Sequence, residues 1–507
     1  MQAAFDGSLR KGNDMIKYSS TRGGGEKINA AKAVIKGIAD DKGLFVPDSI
    51  PKLSVSLEEL AGKSYRDIAR IVIGSFFDDY TEEEINYCVE NAYDSKFTAE
   101  EIAPMAKVGG DTPCYFLELY HGKTAAFKDM ALSILPYLLT TAVKKEKEDA
   151  EIVILTATSG DTGKAALEGF ADVPGTQIIV FFPDDGVSEV QKMQMITQEG
   201  ENTHVFAIKG NFDDAQTGVK RIFADNDFAE DLAAKGCKLS SANSINIGRL
   251  VPQVAYYVYS YAKLVEVGEI KAGDPINVTV PTGNFGNILA AYYAREMGIP
   301  IAKFICASNE NKVLTDFINT GKYDAKREFH VTNSPSMDIL ISSNLERLLC
   351  HLSGPEETKS YMKALDREKK YEVSEDIKKK LSENFAAGYA DQNATLTAIG
   401  EVYDQNGYLM DTHTAVGYSV YRDYVKKTGD KTKTVIASTA SPYKFAAAVA
   451  QGIGLDQEIT DFIYIRSLAD ETGVSVPYGL RDLESRKIRH NDVIAVGDMQ
   501  EYVWKSL

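Results

Sequence analysis

The chain has 507 residues, and 56 Lys and Arg against 73 Asp and Glu leave a formal net charge of −17 at pH 7. A negative charge of this size repels polyanions, so the sequence argues against nucleic-acid binding and against docking on an anionic membrane. A hydrophobic content of 44% and a charged content of 25% are typical of folded globular proteins. The length is enough for about two to four domains.

Several other classes of protein are disfavoured. The longest mostly apolar stretches, such as 132–143, are too short to cross a bilayer. Residues 1–14 lack the apolar centre of a signal peptide, and we expect Met15 to be the natural start and these residues to be an extension. The five cysteines are far apart and form no C-x-x-C pair, so neither a disulfide framework nor a metal site is expected, and a reducing cytoplasm fits best. The sequence contains no H-E-x-x-H and no G-x-S-x-G motif.

The N-terminal part is predicted to be helical. Between residues 30 and 91, apolar residues recur mostly at helical spacing. Thr81 followed by three glutamates is typical of a helix N-cap and first turn.

From about residue 112 the pattern changes to short apolar strands that alternate with helices. The predicted strand and helix pairs are 114–119 with 127–139, 152–157 with 163–170, 178–182 with 190–197, 276–280 with 288–296, and 434–437 with 443–450. Strands that are apolar throughout and alternate with helices indicate a mainly parallel sheet covered on both faces. The densely charged stretches 144–151 and 354–383 are predicted to be a connector and exposed helices.

Ligands of open α/β sheets bind beyond the carboxyl ends of the strands, so the loops there are the candidate sites. The loop 281–287, Pro-Thr-Gly-Asn-Phe-Gly-Asn, has two glycines and precedes a helix, whose first N–H groups can bind a phosphate. It lacks the lysine of a P-loop and the spacing of G-x-G-x-x-G, which argues against nucleotide binding. A tight turn with no ligand is the alternative.

Two further loops carry hydroxyl groups at strand ends. The loop 158–164, Thr-Ser-Gly-Asp-Thr-Gly-Lys, adds an acidic side chain but has too few residues between its glycines for a Walker A motif. Its alternative role is simple capping of a helix. The loop 438–442, Ser-Thr-Ala-Ser-Pro, offers hydroxyls at a third strand end.

Lys128 is predicted to lie on an apolar helix face with Ala131, Leu132 and Leu135. Burial lowers the pKa of an ammonium group, and an amine that is partly neutral can form a Schiff base with an aldehyde. Such a lysine can also snorkel to solvent or pair with a neighbour such as Asp129. An amine of this kind together with a separate phosphate cradle matches what pyridoxal phosphate requires.

The sequence resembles the threonine synthase family of pyridoxal-phosphate enzymes, of the tryptophan-synthase-β fold type and the longer bacterial and fungal type. The resemblance runs nearly end to end. It is carried by Tyr-Ser-Ser-Thr-Arg-Gly at 18–23, Lys-Gly-Leu-Phe-Val-Pro at 42–47, His-Gly-Lys-Thr-Ala-Ala-Phe-Lys-Asp at 121–129 and Asp-Thr-His-Thr-Ala-Val-Gly at 411–417.

The resemblance implies an α/β protein of PLP fold type II, with mainly parallel sheets flanked by helices in two main domains, a helical N-terminal region and a charged helical insertion. The expected boundaries are 15–100 for the N-terminal region, 101–140 with 251–507 for the large cofactor-binding domain, about 310–400 for its insertion, and 141–250 for the smaller domain.

The resemblance also implies the site residues. For the cofactor, pyridoxal 5′-phosphate, these are the Schiff-base Lys128, Phe127 beside the ring, Asp161 near the 3′-oxygen, Thr439 at the pyridine nitrogen, and the phosphate loop Gly283, Asn284, Phe285, Gly286 and Asn287. For the substrate they are Thr158, Ser159 and Thr162 at its amino-acid end, and Asn243, Ser244 and Arg249 at its phosphate. An arginine suits this task because its guanidinium can bind phosphate through two hydrogen bonds.

The implied reaction is that of a carbon–oxygen lyase in threonine biosynthesis, converting O-phospho-L-homoserine and water to L-threonine and phosphate by β,γ-replacement. The alternatives are a phosphohomoserine or serine/threonine ammonia-lyase on the same fold, and a catalytically silent binding protein. The sequence departs from many relatives at Lys123, where they have proline, and from some at Ser441, where they have histidine. The expected partner is the small-molecule substrate, with no nucleic acid and no membrane, in a monomer or homodimer.

Overall fold

The structure is a computed structural model that describes residues 15–109, 113–158, 160–185, 187–455 and 460–507. The expected N-terminal extension at 1–14 and the candidate residue Ser159 lie outside these ranges. Within the described ranges, no helix combines the length and the apolarity needed to cross a membrane.

The regular elements of the described residues are as follows. The strands are β1 Tyr18–Ser20, β2 Phe45–Pro47, β3 Met105–Val108, β4 Cys114–Glu118, β5 Glu151–Ala157, β6 Thr176–Pro183, β7 Thr203–Lys209, β8 Cys237–Ser240, β9 Ile276–Pro281, β10 Ile301–Ser308, β11 Lys322–Asp324, β12 Lys370–Glu372, β13 Phe385–Tyr389, β14 Thr434–Ser438 and β15 Val493–Ala495. The α-helices are α1 Ala30–Lys36, α2 Leu57–Leu60, α3 Tyr65–Phe76, α4 Glu82–Ala92, α5 Asp129–Leu132, α6 Leu135–Lys145, α7 Asp161–Phe170, α8 Glu189–Ile196, α9 Phe212–Ala224, α10 Asn226–Ala234, α11 Ile247–Glu266, α12 Gly286–Met297, α13 Val313–Thr320, α14 Leu345–Ser353, α15 Pro355–Glu368, α16 Glu375–Asn384, α17 Gln392–Asn406, α18 Thr412–Thr428, α19 Ala446–Gly452, α20 Asp461–Thr472 and α21 Met499–Lys505.

Two main sheets organise the molecule. The six-stranded sheet has the order β13-β10-β9-β14-β4-β3, and its pairs are parallel except β3 with β4. The five-stranded sheet has the order β15-β7-β6-β5-β8 and is parallel throughout. The predicted α/β fold with mainly parallel sheets is therefore confirmed.

The helices cover these sheets as the apolar patterns predicted. β9 and β14 lie inside the six-stranded sheet and are buried at every residue. α11 is buried along almost its whole length and packs against α3 and α12. The predicted N-terminal helices form, and Thr81 completes a capping box at the start of α4. α15 and α16 carry the charged stretch after residue 354.

The predicted helix 127–139 is wrong in one respect, because the structure divides it into α5 and α6. Pro136 is the second residue of α6; it lacks an N–H, and its ring would clash with the carbonyl of Leu132 in a continuous helix. The break exposes that carbonyl to α7, where a Cβ on Gly169 would lie 2.1 Å from it. α7 can therefore approach closely behind the segment that carries Lys128.

The C-terminal end differs from the expected domain assignment. The predicted boundaries assigned all of residues 251–507 to the larger domain, but β15 pairs with β7 in the five-stranded sheet. α21 packs nearby against α9. We therefore propose that the last residues belong to the smaller domain, and the other boundaries stay predictions.

Candidate functional site

The loop before Lys128 is fixed by the loop that follows β14. The Phe127 N–H donates to the carbonyl of Thr439 at 2.8 Å, and the Ser441 N–H donates to the carbonyl of Ala125 at 3.0 Å. Ala126 and Ala440 form an isolated antiparallel bridge between these bonds. The loop before Lys128 and the candidate loop 438–442, which are far apart in sequence, thus share one short ladder of hydrogen bonds.

The same loop is held internally by a buried aspartate. Asp129 accepts from the backbone N–H of Thr124 at 2.8 Å and from its hydroxyl at 2.6 Å. Burial raises the pKa of Asp129 to about 6, although the hydrogen bonds from Thr124 oppose the shift. Gly122 is required here, because a Cβ would lie 2.4 Å from a carboxylate oxygen of Asp129.

Lys128 lies at the N-cap of α5, with a side chain only 13% exposed. Its Nζ is 3.4 Å from Asp161 Oδ2, 3.5 Å from Ser336 Oγ and 5.6 Å from the centre of the Phe127 ring. Burial lowers the pKa of Lys128; the charge of Asp161 opposes this effect, and the cations Lys444 and Arg249 add to it. The amine is therefore largely buried, but the predicted continuous apolar face does not form, because Lys128 lies at the start of a single-turn helix and Leu135 belongs to α6.

Asp161 is the first residue of α7 and lies between two lysines. Its Oδ1 is 2.8 Å from Lys444 Nζ and accepts from Gln191 Nε2 at 3.0 Å. Burial raises the pKa of Asp161, but Lys444 and Lys128 together hold it well below its usual range. The carboxylate is therefore ionised in the resting protein.

Sequence reasoning missed Lys444 and Gln191. Lys444 lies three residues after Ser441, in the short 3₁₀ helix Pro442–Phe445, so its place after a polar strand-end loop was a usable signal. Gln191 lies in α8, and only the folded structure brings it to Asp161.

Thr158 has the capping role that was the alternative for its loop. Its side chain is buried, and its Oγ1 accepts from the N–H groups of Gly160 at 3.0 Å and Gly163 at 2.9 Å. Thr162 is half-buried in the first turn of α7.

The loop 281–287 has the features of a phosphate cradle. α12 begins at Gly286 without a side-chain cap, after Phe285 in the left-handed region at φ 65°. Asn287 is buried; its Oδ1 accepts from the Tyr257 hydroxyl, and its Nδ2 has no partner among the described residues. The loop backbone is fixed from outside, because Asn344 N–H donates to the carbonyl of Asn284 at 3.0 Å. Free N–H groups beside an unpaired buried donor suit an anion.

Arg249 is a buried cation in the first turn of α11. Its Nη1 donates to the carbonyl of Ala242 at 2.8 Å, but its buried Nε has no partner within the described residues. Burial lowers the pKa of Arg249 to about 10. The other two predicted phosphate ligands are more open: Asn243 is exposed, and Ser244 Oγ donates to its Oδ1 at 3.3 Å.

Ser336 was also missed by sequence reasoning. Its N–H donates to His413 Nε2 at 3.1 Å, and His413 Nδ1 lies 2.8 Å from Asp411 Oδ2. This Asp-His-Ser series differs from a hydrolase triad, because the imidazole bonds the backbone of the serine and cannot take the proton of its hydroxyl. The imidazole instead fixes the backbone that brings Ser336 to Lys128.

The two departures from the family pattern are structural. Lys123 is 42% exposed, with its Nζ 3.6 Å from Glu168 Oε2, and it forms a surface ion pair. Ser441 is buried, and its Oγ accepts from the Tyr443 N–H at 3.3 Å, which caps the 3₁₀ helix.

These residues fit pyridoxal phosphate. Lys128 supplies a desolvated amine for an aldehyde, and the start of α12 with Asn287 supplies unpaired donors for a phosphate. Arg249 adds a further buried donor, its Nε, that has no partner in the described part of the chain.

Comparison with known proteins identifies the family. Residues 17–93 match the family described as threonine synthase N terminus, and residues 99–440 match the family described as pyridoxal-phosphate dependent enzyme. Residues 414–503 match the family described as threonine synthase, C-terminal. Threonine synthase of Schizosaccharomyces pombe is 35% identical over 86% of this chain and 89% of its own length. Threonine synthase-like 1 of Homo sapiens is 42% identical over 85% of this chain, which spans 59% of that protein.

A solved structure supports the same family assignment. PLP-bound threonine synthase from Brucella melitensis superposes with a TM-score of 0.86 at 34% identity, over 97% of this chain and 99% of that one. The chain therefore belongs to the threonine synthase family of pyridoxal-phosphate-dependent enzymes, and its cofactor is pyridoxal 5′-phosphate.

Proposed function

We propose that this protein converts O-phospho-L-homoserine and water to L-threonine and phosphate. The observation that carries the proposal is Arg249, a buried guanidinium whose Nε has no partner among the described residues and whose charge lowers the pKa of Lys128. A buried cation without a counter-ion is costly and suits a site that receives an anion. A second anion site beside the cofactor amine is what a phosphorylated amino acid requires.

For the cofactor we propose the roles that the family resemblance implies. Lys128 would hold the aldehyde, the loop from Gly283 to Asn287 would hold the phosphate, and Phe127 would flank the ring. Asp161 would bind near the 3′-oxygen, and Thr439 would bind near the pyridine nitrogen. When bound, pyridoxal phosphate supplies an electron sink beside the α-carbon of the substrate.

The protein's own residues then act on the substrate. Lys128 Nζ would take the proton from the α-carbon of the substrate; burial lowers the pKa of this amine, which favours the neutral form that can accept a proton. Arg249, with Asn243 and Ser244, holds the phosphate and stabilises its charge as the bond between the γ-carbon and oxygen breaks. We assign the amino-acid end of the substrate to the loop of Thr158, Ser159 and Thr162, in which Thr158 fixes the backbone.

Product analysis tests the proposal. The holoenzyme is incubated with O-phospho-L-homoserine, and phosphate, threonine and 2-oxobutanoate are measured, with Lys128→Ala as the control. We expect equal amounts of phosphate and threonine, and neither product from Lys128→Ala. Phosphate with 2-oxobutanoate would instead establish the alternative lyase reaction, which breaks the same bond but adds no water at the β-carbon.

A further inference from the structure

A second lysine is buried in the candidate site, and the reaction itself does not use it. The side chain of Lys444 is 0% exposed, and its Nζ lies 2.8 Å from Asp161 Oδ1 and 2.9 Å from Gln194 Oε1. Lys128 approaches the other oxygen of the same carboxylate at 3.4 Å. Asp161 is thus shared by two lysines, and the closer one is the more deeply buried.

The two lysines differ in what the proposed reaction asks of them. Lys128 must exchange its proton and its covalent partner during each turnover, so the charge that it offers Asp161 changes. A buried carboxylate that loses its counter-ion is strongly unfavourable. If Lys128 were the sole cation, Asp161 would hold the proton on Lys128 and so oppose the proposed reaction.

We infer that Lys444 is a positioning residue that acts as the permanent counter-ion of Asp161, so that Lys128 can lose its proton without leaving a buried carboxylate unpaired. The inference rests on the role proposed for Lys128.

The surroundings of the two lysines support a fixed charge on Lys444 and a changing charge on Lys128. The charged groups that act on Lys128 are Asp161 from α7, Lys444 from the 3₁₀ helix and Arg249 from α11. Gln191 and Gln194, both from α8, complete the hydrogen bonds of Asp161 and Lys444. Lys444 therefore has fixed neutral and anionic partners, while Lys128 faces two other cations and one shared anion.

The test is a pH titration of the holoenzyme in the absence of substrate. The visible absorption of the cofactor joined to Lys128 reports the proton on the linking nitrogen. Lys444→Gln removes the fixed cation, and we expect the midpoint to move up by about one pH unit. Lys444→Arg keeps the charge and should titrate close to wild type. Lys123→Gln, which removes an exposed lysine, is the matched control.

Two outcomes would overturn the inference: an unshifted midpoint in Lys444→Gln, or an equal shift in Lys444→Gln and Lys444→Arg, which would indicate a purely structural role. If Lys444→Gln fails to fold, the inference is tested by comparing its stability with that of the double variant Lys444→Gln with Asp161→Asn. It removes both charges and should recover stability; a double variant no more stable than Lys444→Gln would contradict the inference. Because no substrate is present, the result is independent of which product the enzyme makes.

Discussion

Burial without an opposite charge distinguishes Arg249 from the other cations around it. Lys444 and Lys128 both approach Asp161, whereas Arg249 Nη1 donates to a neutral carbonyl and Nε to no described group. Burial of its guanidinium destabilises the resting protein through desolvation, and the charge of a bound phosphate would offset this effect.

Arg249→Met should therefore separate stability from catalysis. Methionine fills similar space without a buried charge, so the melting temperature should be unchanged or higher. The value of kcat/KM for O-phospho-L-homoserine should fall by about 10²- to 10⁴-fold, because two charge-assisted hydrogen bonds of roughly 1.5–3 kcal/mol each are lost. Thermal unfolding and steady-state kinetics measure the two effects. A variant that is unstable but kinetically normal would show that Arg249 serves only the fold.

Gly122 permits the compact loop before Lys128. In Gly122→Ala the new methyl group would lie 2.4 Å from a carboxylate oxygen of Asp129, which must move and release Thr124. We expect a loss of about 1–3 kcal/mol in the free energy of unfolding, with weaker cofactor retention. Gly497→Ala is the matched control, since its Cβ would meet nothing within 4 Å. Equal melting temperatures for the two variants would show that the loop accommodates the methyl group without a loss of stability.

At the scale of elements, α14 connects parts of the molecule that lie far apart in sequence. Arg347 is fully buried; its Nε donates to the carbonyl of Phe45 at 2.9 Å and its Nη2 to that of Ile245 at 2.6 Å. Its Nη1 donates to Asn344, which supports the loop 281–287. One guanidinium thus joins the N-terminal region to both candidate phosphate sites.

Arg347→Lys should disturb both phosphate sites together. The single ammonium group of lysine cannot replace the planar guanidinium, so about two of the three hydrogen bonds of Arg347 are lost. Each loss costs roughly 1.5–3 kcal/mol of stability because the donor is charged. We expect a lower melting temperature, weaker cofactor binding and a higher KM. Arg327→Lys, at the half-buried ion pair with Asp316, is the control and should change stability by less than about 1 kcal/mol. An Arg347→Lys enzyme with normal cofactor affinity and KM would refute this connection.

For the whole molecule, Asp129 makes stability depend on pH in a definite direction. Its pKa is about 6 in the folded state, against about 3.9 for an unfolded aspartate. The folded state therefore binds more protons between these values, and stability falls as pH rises through this window, by about 3 kcal/mol in total.

Asp129→Asn tests this linkage because it cannot ionise. Its melting temperature relative to wild type should rise between about pH 4 and pH 6 and level off above pH 7. The amide loses one acceptor for Thr124, so the variant should be the less stable protein at the acid end. A difference that does not vary with pH would show that Asp129 titrates normally.

The order of elements was predictable because buried parallel strands are apolar runs and the helices between them keep helical spacing. The break at Pro136 was visible in the sequence but was outweighed by the apolar pattern on both sides. β15 is three residues long, and nothing in so short a stretch indicates which sheet it joins.

The site was predictable where its residues follow strand ends. Lys128, Asp161 and the loop 281–287 all do so, and their family motifs are local. Gln191, Gln194 and Ser336 come from other elements, and their contacts depend on tertiary packing that no local pattern encodes.

The most direct test of the central claim is to follow oxygen during turnover of O-phospho-L-homoserine in water enriched in ¹⁸O. The account predicts threonine that carries one ¹⁸O in its hydroxyl group and, at early times, phosphate that carries none, because the bond broken is between carbon and oxygen. Phosphate labelled with ¹⁸O would mean hydrolysis at phosphorus, and unlabelled phosphate without labelled threonine would mean elimination. Either result would contradict the account.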